Sequence, residues 1–470
     1  FRSKRSELKG ITLKTGEVTP KLARGVNLTL QLQQAEPKVN GSVLFGGDFD
    51  FDGDMGLYAA RKLLVGFSGQ MGPAAKLDFE LSGDGRYSQK VDQAEIRNLK
   101  LEAAGDMPQA RDFKLALTAS GNLQPEKRQF AAEGIQLDAS ATLAQGKLES
   151  KLSAPRLQFG GEQVSGDAIS VKGSLLAPER KLNADAKISG FSGKRQQLAA
   201  KQLQLTLAAA QASDKLQLKL DSPLLLDLQS LLAQWPALHL QGTVASPRLK
   251  PGSVAFDLRG NASASPKQVH MALAGQLDQS KVKTSLAVAD LNQPFYQVLA
   301  EVDQLLLDRY LASAPAKTGA PETAAPAAPI DLSPLKDLAG SAQLKVGSLQ
   351  QGQFKLTNLS AKLEASNSRL QLAPLSVDLF GGHLDASGSA TASKQPAFQL
   401  QHKLSNVDIG LLLKTLAKYE QLEGRGTVDS TLSAQGATVE QLMRTLNGKA
   451  SIQMRDGALR GINIGAKLRE

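Results

Sequence analysis

Residues 203–220 read Leu-Gln-Leu-Thr-Leu-Ala-Ala-Ala-Gln-Ala-Ser-Asp-Lys-Leu-Gln-Leu-Lys-Leu. Leucine occupies every second position at both ends of this stretch, and polar residues stand between the leucines. A period of two residues places the leucines on one face of a β-strand and the polar residues on the other face. The stretch therefore predicts two half-buried strands.

The same alternation recurs along the chain, for example at Val26, Leu28 and Leu30. Residues typical of turns interrupt it at spacings of roughly 10–14 residues, which favours an antiparallel meander. We expect turns at Gly46-Gly47, Gly83-Asp84-Gly85, Ala154-Pro155, Asn261 and Gly381-Gly382. The predicted fold is therefore all-β: an elongated antiparallel repeating β-groove, formed by a curved and twisted sheet with an apolar inner face.

Helical patterns are few and short. The sequence predicts four helices, at Pro223 to Trp235, Pro294 to Leu311, Asp408 to Tyr419 and Thr438 to Leu446. Asp408 is placed to cap the third helix, and Thr438 with Gln441 has the spacing of a capping box at the start of the fourth. So few helices cannot cover the apolar faces of so many strands.

The composition narrows the class of protein. A length of 470 residues corresponds to about two to four domains, or to one long repetitive element. The chain is 41% hydrophobic but only 4% aromatic, so leucine and alanine must supply the apolar surface. Because there is no cysteine, disulfides and thiolate metal sites are excluded. The net charge of +10 favours anionic partners, although basic and acidic residues are interspersed as on an ordinary solvated face.

One change in composition divides the chain. Ser313 to Pro329 is rich in proline and alanine and contains no large apolar residue. It predicts a mobile surface loop or linker at 313–330. The resulting organisation is a repetitive β-groove region at 1–312, the loop or linker, and a C-terminal β region with short helices at 331–470.

Residues suited to catalysis or metal binding do not form a recognisable motif. Gly190-Phe191-Ser192-Gly193 lacks the spacing of a nucleophile elbow. The four histidines, at 239, 270, 383 and 402, are far apart in sequence, and none has a carboxylate at the spacing of a metal site. We therefore expect no enzymatic activity, no catalytic residue, no metal and no cofactor.

Residues 48–53, Asp-Phe-Asp-Phe-Asp-Gly, match the first half of a calcium-binding loop. The second half fails, because Ala59 stands where a bidentate glutamate is required. The favoured interpretation is a strand with Phe45, Phe49 and Phe51 on one face and the aspartates on the other. Cation binding by Asp48, Asp50 and Asp52 stays a minor alternative.

The C-terminal stretch resembles the AsmA family. The resemblance lies in Asp331-Leu332-Ser333-Pro334-Leu335, in residues 370–382, and in Leu446-Asn447-Gly448 followed by residues 456–462, Asp-Gly-Ala-Leu-Arg-Gly-Ile. It spans about 140 residues in the family's order. It implies a Gram-negative periplasmic protein, anchored in the inner membrane by an N-terminal helix outside these residues. It also implies a groove akin to that of bridge-like lipid-transfer proteins and a role in outer-membrane lipid homeostasis.

These observations predict a periplasmic bridge-like lipid-transfer protein that moves phospholipid along an apolar β-groove between the inner and outer membranes. Its partners would be phospholipids or other anionic lipids, the inner membrane, and outer-membrane or periplasmic proteins, with no nucleic acid. The alternative is an assembly factor for outer-membrane proteins, with a closed β-sandwich or solenoid core. The expected groove-lining residues are Val26, Leu28, Leu30, Leu203, Leu205, Leu207, Leu344, Val346, Phe354, Leu356, Leu370 and Leu372.

Overall fold

The computed structural model describes residues 6–35, 38–194, 196–310, 330–393, 395–417 and 421–459. These residues form 26 β-strands, two α-helices and two short 3₁₀ segments. The all-β prediction is confirmed, and the strands build open, curved, mostly antiparallel sheet of the kind expected for a repeating β-groove. The chain divides into two compact units, Phe1–Val244 and Ala245–Glu470.

The first unit consists of strands throughout its described part. Their bounds are β1 Ser6–Lys14, β2 Val18–Thr19, β3 Leu22–Gln34, β4 Val39–Asp52, β5 Leu57–Met71, β6 Ala74–Ser88, β7 Gln93–Met107, β8 Ala110–Gln124, β9 Gln129–Leu143, β10 Gly146–Gly160, β11 Gln163–Ala177, β12 Arg180–Lys194, β13 Gln197–Gln211, β14 Asp214–Asp227 and β15 Leu232–Ala245.

The second unit contains further strands and all the helical segments. The strands are β16 Ser253–Ala264, β17 Gln268–Leu277, β18 Ser280–Ala289, β19 Phe295–Leu306, β20 Ala339–Gln351, β21 Phe354–Ser366, β22 Arg369–Leu379, β23 Gly382–Thr391, β24 Ala397–Asp408, β25 Leu422–Gln435 and β26 Asn447–Leu459. The α-helices are α1 Ile409–Ala417 and α2 Val439–Thr445, and the 3₁₀ segments are Leu307–Arg309 and Ser333–Lys336.

A structural repeat of 17 residues governs the middle of the first unit. Strands β9 to β14 begin at residues 129, 146, 163, 180, 197 and 214, and β9 to β13 each contain 15 residues. Each strand pairs antiparallel with the next. The shorter spacing inferred from the sequence is therefore wrong, because both the strands and their repeat are longer than the turn signals suggested.

Most of the expected turns are positions inside strands. Gly46-Gly47 lies within β4, residues 83–85 within β6, Ala154-Pro155 within β10 and Asn261 within β16. Gly381 does lie in the turn between β22 and β23, so that prediction is confirmed. Glycine marks bulges as well as turns.

A line of β-bulges accounts for several of these signals in the first unit. Gly25, Lys62, Asn98 and Gly134 adopt left-handed conformations, with φ of 58°, 51°, 51° and 61°. The cross-strand register shifts beside each of them. A bulge bends its strand and increases the local twist. Because the four bulges occur at similar depths in β3, β5, β7 and β9, they contribute to the curvature of the sheet.

Neighbouring aspartates satisfy backbone groups freed at two of the bulges. The Gly25 amide donates to Asp48 Oδ1 at 2.8 Å, and the Lys62 amide donates to Asp84 Oδ1 at 2.9 Å. The Lys62 hydrogen bond is the main cause that lowers the pKa of Asp84. A backbone amide left unpaired by a bulge would otherwise reduce stability.

The second unit contains one parallel strand pair among the described strands, between β19 and β20. The remaining described pairs in this unit are antiparallel. The tract at 313–329 lies between β19 and β20 and outside the described residues. Its assignment as a mobile loop, and the division into 1–312, 313–330 and 331–470, stay predictions.

Two of the four predicted helices are wrong. Pro223 to Trp235 forms the end of β14, a turn and the start of β15. Leu224 is buried and pairs with Ala200 of β13, and the Asp227 carboxylate accepts hydrogen bonds from the Gln229 and Ser230 amides, so the chain turns there. Pro294 to Leu311 is mainly β19, held between β18 and β20. Strand pairing overrides a helical spacing of leucines in both places.

The other two helix predictions are confirmed. The Asp408 carboxylate accepts from the Leu411 amide at 2.8 Å at the start of α1. Thr438 Oγ1 accepts from the Gln441 amide at 3.2 Å, and Gln441 Oε1 accepts from the Ala437 amide at 2.8 Å at the start of α2. In the described ranges, no helix has the length and apolar character needed to cross a membrane.

Candidate functional site

Cross-strand pairing aligns one apolar residue from each of twelve strands, β3 to β14, in a single row. Residues directly opposite each other in antiparallel strands project to the same face. We call this set the central row, and the side of the sheet that carries it the apolar face. From β3 to β14 its members are Leu28, Phe45, Val65, Leu81, Leu101, Leu117, Leu137, Leu152, Val171, Ala186, Leu205 and Leu220.

The central row is only partly shielded from solvent. Most of its members are half-buried, and Val171 is 37% exposed. Every described element of the first unit is a strand, so no described helix of this unit lies over the row. Burying the remaining exposed surface would release about 0.8 kcal/mol per methylene covered. The apolar face is therefore suited to bind a long apolar ligand.

The opposite side of the sheet, here called the polar face, is joined by hydrogen bonds and ion pairs between strands. Gln31 Nε2 donates to Ser42 Oγ at 2.8 Å, and Ser68 Oγ donates to an Asp78 carboxylate oxygen at 2.6 Å. Further along, Lys172 and other lysines pair with carboxylates of the neighbouring strand. The excess positive charge is thus dispersed among paired side chains, as expected for a solvated surface.

A depression of about 810 Å³ has side chains of the polar face in its lining. These include Asp78, Glu102, Lys114 and Lys151, so lysines and carboxylates alternate across it. Lys151 Nζ also lies 3.4 Å from Asp138 Oδ1. Charges of both signs offer no uninterrupted contact for an acyl chain, and we assign no lipid to this depression.

A second continuous row, here called the rim row, follows the apolar face near the strand ends. It pairs Phe51, Tyr58, Tyr87, Ala94, Leu123, Phe130, Phe159 and Val164. Phe45 of the central row stacks on Phe49 at 5.8 Å between ring centroids, and Phe49 stacks on Phe51 at 6.3 Å. These contacts place the rim row on the same face as the central row.

The aspartates of residues 48–53 lie in β4, as the favoured sequence interpretation predicted. Asp50 forms ion pairs with Arg24 and with Arg61, and Asp52 accepts from the Met55 amide at 2.9 Å. Both carboxylate oxygens of Asp50 therefore already face a cation. Within the described residues, no cluster of three or more histidine or carboxylate side chains is arranged to hold a metal ion.

The six groove-lining residues predicted in the first unit lie on two strands. Leu28 and Leu205 are members of the central row, on β3 and β13. Val26 and Leu30 flank Leu28, and Leu203 and Leu207 flank Leu205, at alternate positions on the same strands. Their contact with lipid stays a prediction.

The six predicted residues of the second unit lie on β20, β21 and β22. Leu344 pairs with Ala300 and Ala361, and Leu372 pairs with Leu363. Leu344 is 38% exposed, whereas Val346 is 2% exposed and has almost no surface to offer a ligand. Phe354 lies edge-on to Phe380, with 6.4 Å between ring centroids. The remaining placements are Leu356 opposite Leu349 and Leu370 opposite Ala365.

The sequence interpretation missed the middle of the central row. Leu81, Leu101, Leu117, Leu137 and Leu152 occupy the centres of five consecutive strands. Each lies in an alternating segment, such as Leu115, Leu117 and Ala119 in β8. That alternation was the available signal, but the bulges hid which residues of neighbouring strands stand opposite each other.

The absence of a carboxylate close to any histidine was also wrong for His383. Its Nδ1 lies 2.6 Å from Asp378 Oδ1, and its Nε2 lies 3.1 Å from Ser376 Oγ and 3.3 Å from Asp385 Oδ1. The hydrogen bond with Asp378 raises the pKa of His383. A hydrogen bond from Asn358 and the one with His383 lower the pKa of Asp378. The turn between β22 and β23 places residues 378 and 383 opposite each other.

This cluster has the order of a Ser–His–Asp triad but lacks its electrostatics. A serine nucleophile needs hydrogen-bond donors where the negative oxyanion develops. Here the Asp385 carboxylate contacts the same histidine nitrogen as Ser376 does. A negative charge at that place would oppose the oxyanion. The cluster is a polar link between β22 and β23, and we assign it no hydrolytic role.

The geometry defines a class of protein: a repetitive, open β-sheet with a continuous apolar face and a charged, solvated reverse face. Comparison with family models gives a match to the AsmA family over residues 75–470. Since this match covers most of the chain, the protein belongs to the AsmA family. The match begins well before Ile330, and so includes strands in which the sequence alone showed no diagnostic motif. No curated protein matches the chain.

Proposed function

We propose that this protein binds phospholipids by their acyl chains along the apolar face and transfers them as a bridge-like lipid-transfer protein. The observation that carries the proposal is the central row, twelve consecutive apolar residues that are half-buried but not covered by any described helix of their unit. Membership of the AsmA family and the long repeating sheet fit the same function. The family is not known for an enzymatic activity, and the proposed role requires no catalytic residue.

A row of equivalent apolar residues supports movement as well as binding. Each paired strand adds a similar side chain about 4.8 Å from the last, so a bound acyl chain would exchange one set of contacts for a nearly identical set. Steps of this kind have no deep energy minimum to trap the lipid. A closed β-sandwich would instead bury these leucines against a second sheet.

We further propose that the transfer takes place in the periplasm of a Gram-negative bacterium, between the inner and outer membranes. In this setting the protein would support outer-membrane integrity, with membrane proteins at either side as partners. Support comes from the AsmA family membership and from the resemblance of the C-terminal stretch.

Native mass spectrometry of the purified chain tests the binding step. We expect phospholipid to remain bound after gentle purification, in a ratio of more than one lipid per chain because the row is continuous. Chain free of lipid after purification from cells, and unable to take up phospholipid from vesicles, would contradict the proposal.

A further inference from the structure

The two edges of the apolar face in the first unit differ in aromatic content. The rim row contains Phe51, Tyr58, Tyr87, Phe130 and Phe159, whereas Phe45 is the one aromatic member of the central row. Tyr58 stacks on Tyr87 with ring centroids 6.3 Å apart, and the rings of Phe130 and Phe159 lie 6.0 Å apart. Phe51 and Tyr58 remain 44% and 40% exposed. One edge of the apolar face therefore carries a partly open aromatic border.

The turns at the two edges differ in charge. At the aromatic edge the turns at 53–56, 89–92 and 125–128 contain Asp54, then Lys90 and Asp92, then Glu126, Lys127 and Arg128. At the opposite edge the turns at 72–73, 108–109 and 144–145 are Gly-Pro, Pro-Gln and Ala-Gln. The aromatic border thus stands between the apolar rows and a set of turns with charges of both signs.

We propose that this asymmetry orients bound lipid: the headgroup lies at the charged turns, the glycerol and ester region on the rim row, and the acyl chains on the central row. The inference rests on the proposed function and adds the polarity of the bound ligand. Aromatic side chains, tyrosine in particular, favour positions where an apolar environment meets water. Charged headgroups are stable only where water and counter-charges reach them.

The distances along a strand agree with this orientation. Phe130 and Leu137 of β9 are seven residues apart, about 23 Å at a rise near 3.3 Å per residue. The acyl part of a membrane lipid extends about 15 Å, half of the hydrocarbon thickness of a bilayer. A lipid with its ester groups on the rim row would reach toward the central row without reaching Leu143 at the opposite edge.

Fluorescence quenching tests the orientation, and the cysteine-free sequence makes single labels straightforward. Three matched leucine substitutions place a fluorophore at the rim row (Leu123→Cys), the central row (Leu137→Cys) and the opposite edge (Leu143→Cys). Each labelled full chain is loaded with phosphatidylcholine that carries a nitroxide either near the ester end or near the methyl end of one acyl chain.

We expect the ester-end nitroxide to quench Leu123→Cys most strongly and Leu143→Cys least. The methyl-end nitroxide should instead quench Leu137→Cys more than Leu123→Cys. Equal quenching at the two edges, or stronger ester-end quenching at Leu143→Cys, would overturn the orientation while leaving lipid binding in place. Absence of quenching at all three sites would overturn both the proposed function and this inference.

The contribution of the rings is tested in the Leu123→Cys protein. Replacing Tyr87, Phe130 and Phe159 together by leucine keeps the rim row apolar. We expect the preference of the ester-end nitroxide for this edge to fall by roughly 2–10-fold, the range typical of aromatic contacts. The amount of bound lipid should change little. An unchanged preference in a folded variant would overturn the role of the aromatic border.

Discussion

Gln136 and Leu137 follow one another in β9 and project to opposite faces of the sheet. Gln136 stands opposite Thr118 and is exposed on the polar face, whereas Leu137 stands opposite Leu117 and Leu152 in the central row. The pair shows at one place how a period of two residues separates the two faces. It also supplies a matched control, because the same substitution can be made on either face of one strand.

Substitution of Leu137 by aspartate should abolish most lipid binding. A carboxylate in the central row would have to contact acyl chains, and even an uncharged polar group costs roughly 2–7 kcal/mol in such surroundings without a hydrogen bond. Gln136→Asp should retain lipid binding, since residue 136 faces solvent. Lipid-to-protein ratios from native mass spectrometry compare the two variants, and thermal unfolding confirms that both are folded. Equal lipid loss in both variants would argue against a binding role for the apolar face.

Replacement of Lys62 by glycine should stabilise the first unit by about 0.5–1 kcal/mol. Lys62 adopts a left-handed conformation with φ of 51°, which is unfavourable for a side chain with a Cβ atom. Gly25 and Gly134 occupy corresponding bulges. Lys114→Gly, on an ordinary exposed strand position, should instead destabilise by about 0.5–1 kcal/mol. Chemical denaturation measures both, and a loss of stability in Lys62→Gly would show that its backbone is not strained.

Removal of the Asp84 carboxylate should weaken the bulge in β5. Asp84 accepts from the Lys62 amide and, at 3.2 Å, from Asn98 Nδ2, so Asp84→Ala leaves both donors without this partner. We expect a loss of about 1–2 kcal/mol in the free energy of unfolding. Asp138→Ala removes only an exposed ion pair with Lys151 and should have an effect close to zero. Similar losses in both variants would contradict the bulge assignment.

The pH dependence at Asp84 has a defined sign. Because the folded protein lowers the pKa of Asp84 below its ordinary value of 3.8, its contribution is present above pH 3.8 and is lost as the pH falls through the folded pKa. Asp84→Ala should therefore flatten this part of the acid unfolding profile. A profile identical to that of the unsubstituted protein would exclude the contribution.

His383 should titrate above its ordinary pKa of 6.5, chiefly because of its hydrogen bond with Asp378. Since protonation is favoured in the folded state, the stabilising effect is full below about pH 6.5 and is lost as the pH rises through the raised pKa. Asp378→Asn should return the pKa of His383 toward 6.5, and Asp385→Asn should have a smaller effect. Titration followed by NMR measures both shifts. A pKa that is unaffected by Asp378→Asn would contradict the pairing.

Local patterns predicted much of the fold. Alternation at Leu203, Leu205 and Leu207 identified strands, and the Thr438–Gln441 spacing identified a helix start that the hydrogen bonds confirm. Long-range pairing set what those patterns could not. Leu224 and its neighbours satisfy a helical spacing, yet Leu224 is buried opposite Ala200 in a strand. A glycine such as Gly83 signals a break in regular structure, but strand pairing determines whether it is a turn or a bulge.

The candidate site was predictable in kind but not in extent. Leu28 and Leu205 were recognised because their strands alternate without interruption. Between them, bulges at Lys62, Asn98 and Gly134 shift the register, so the sequence alone does not show that Leu81 and Leu137 belong to one row. His383 and Asp378 are only five residues apart, but their contact depends on the hairpin turn between them.

Site-specific photocrosslinking in living cells tests the central claim most directly. A photoreactive amino acid at residue 205, in the central row, is compared with the same amino acid at residue 204, on the polar face of β13. The proposed function predicts phospholipid crosslinked at residue 205 and little or none at residue 204. Equal crosslinking at the two positions, or none at residue 205 in a folded protein, would contradict it.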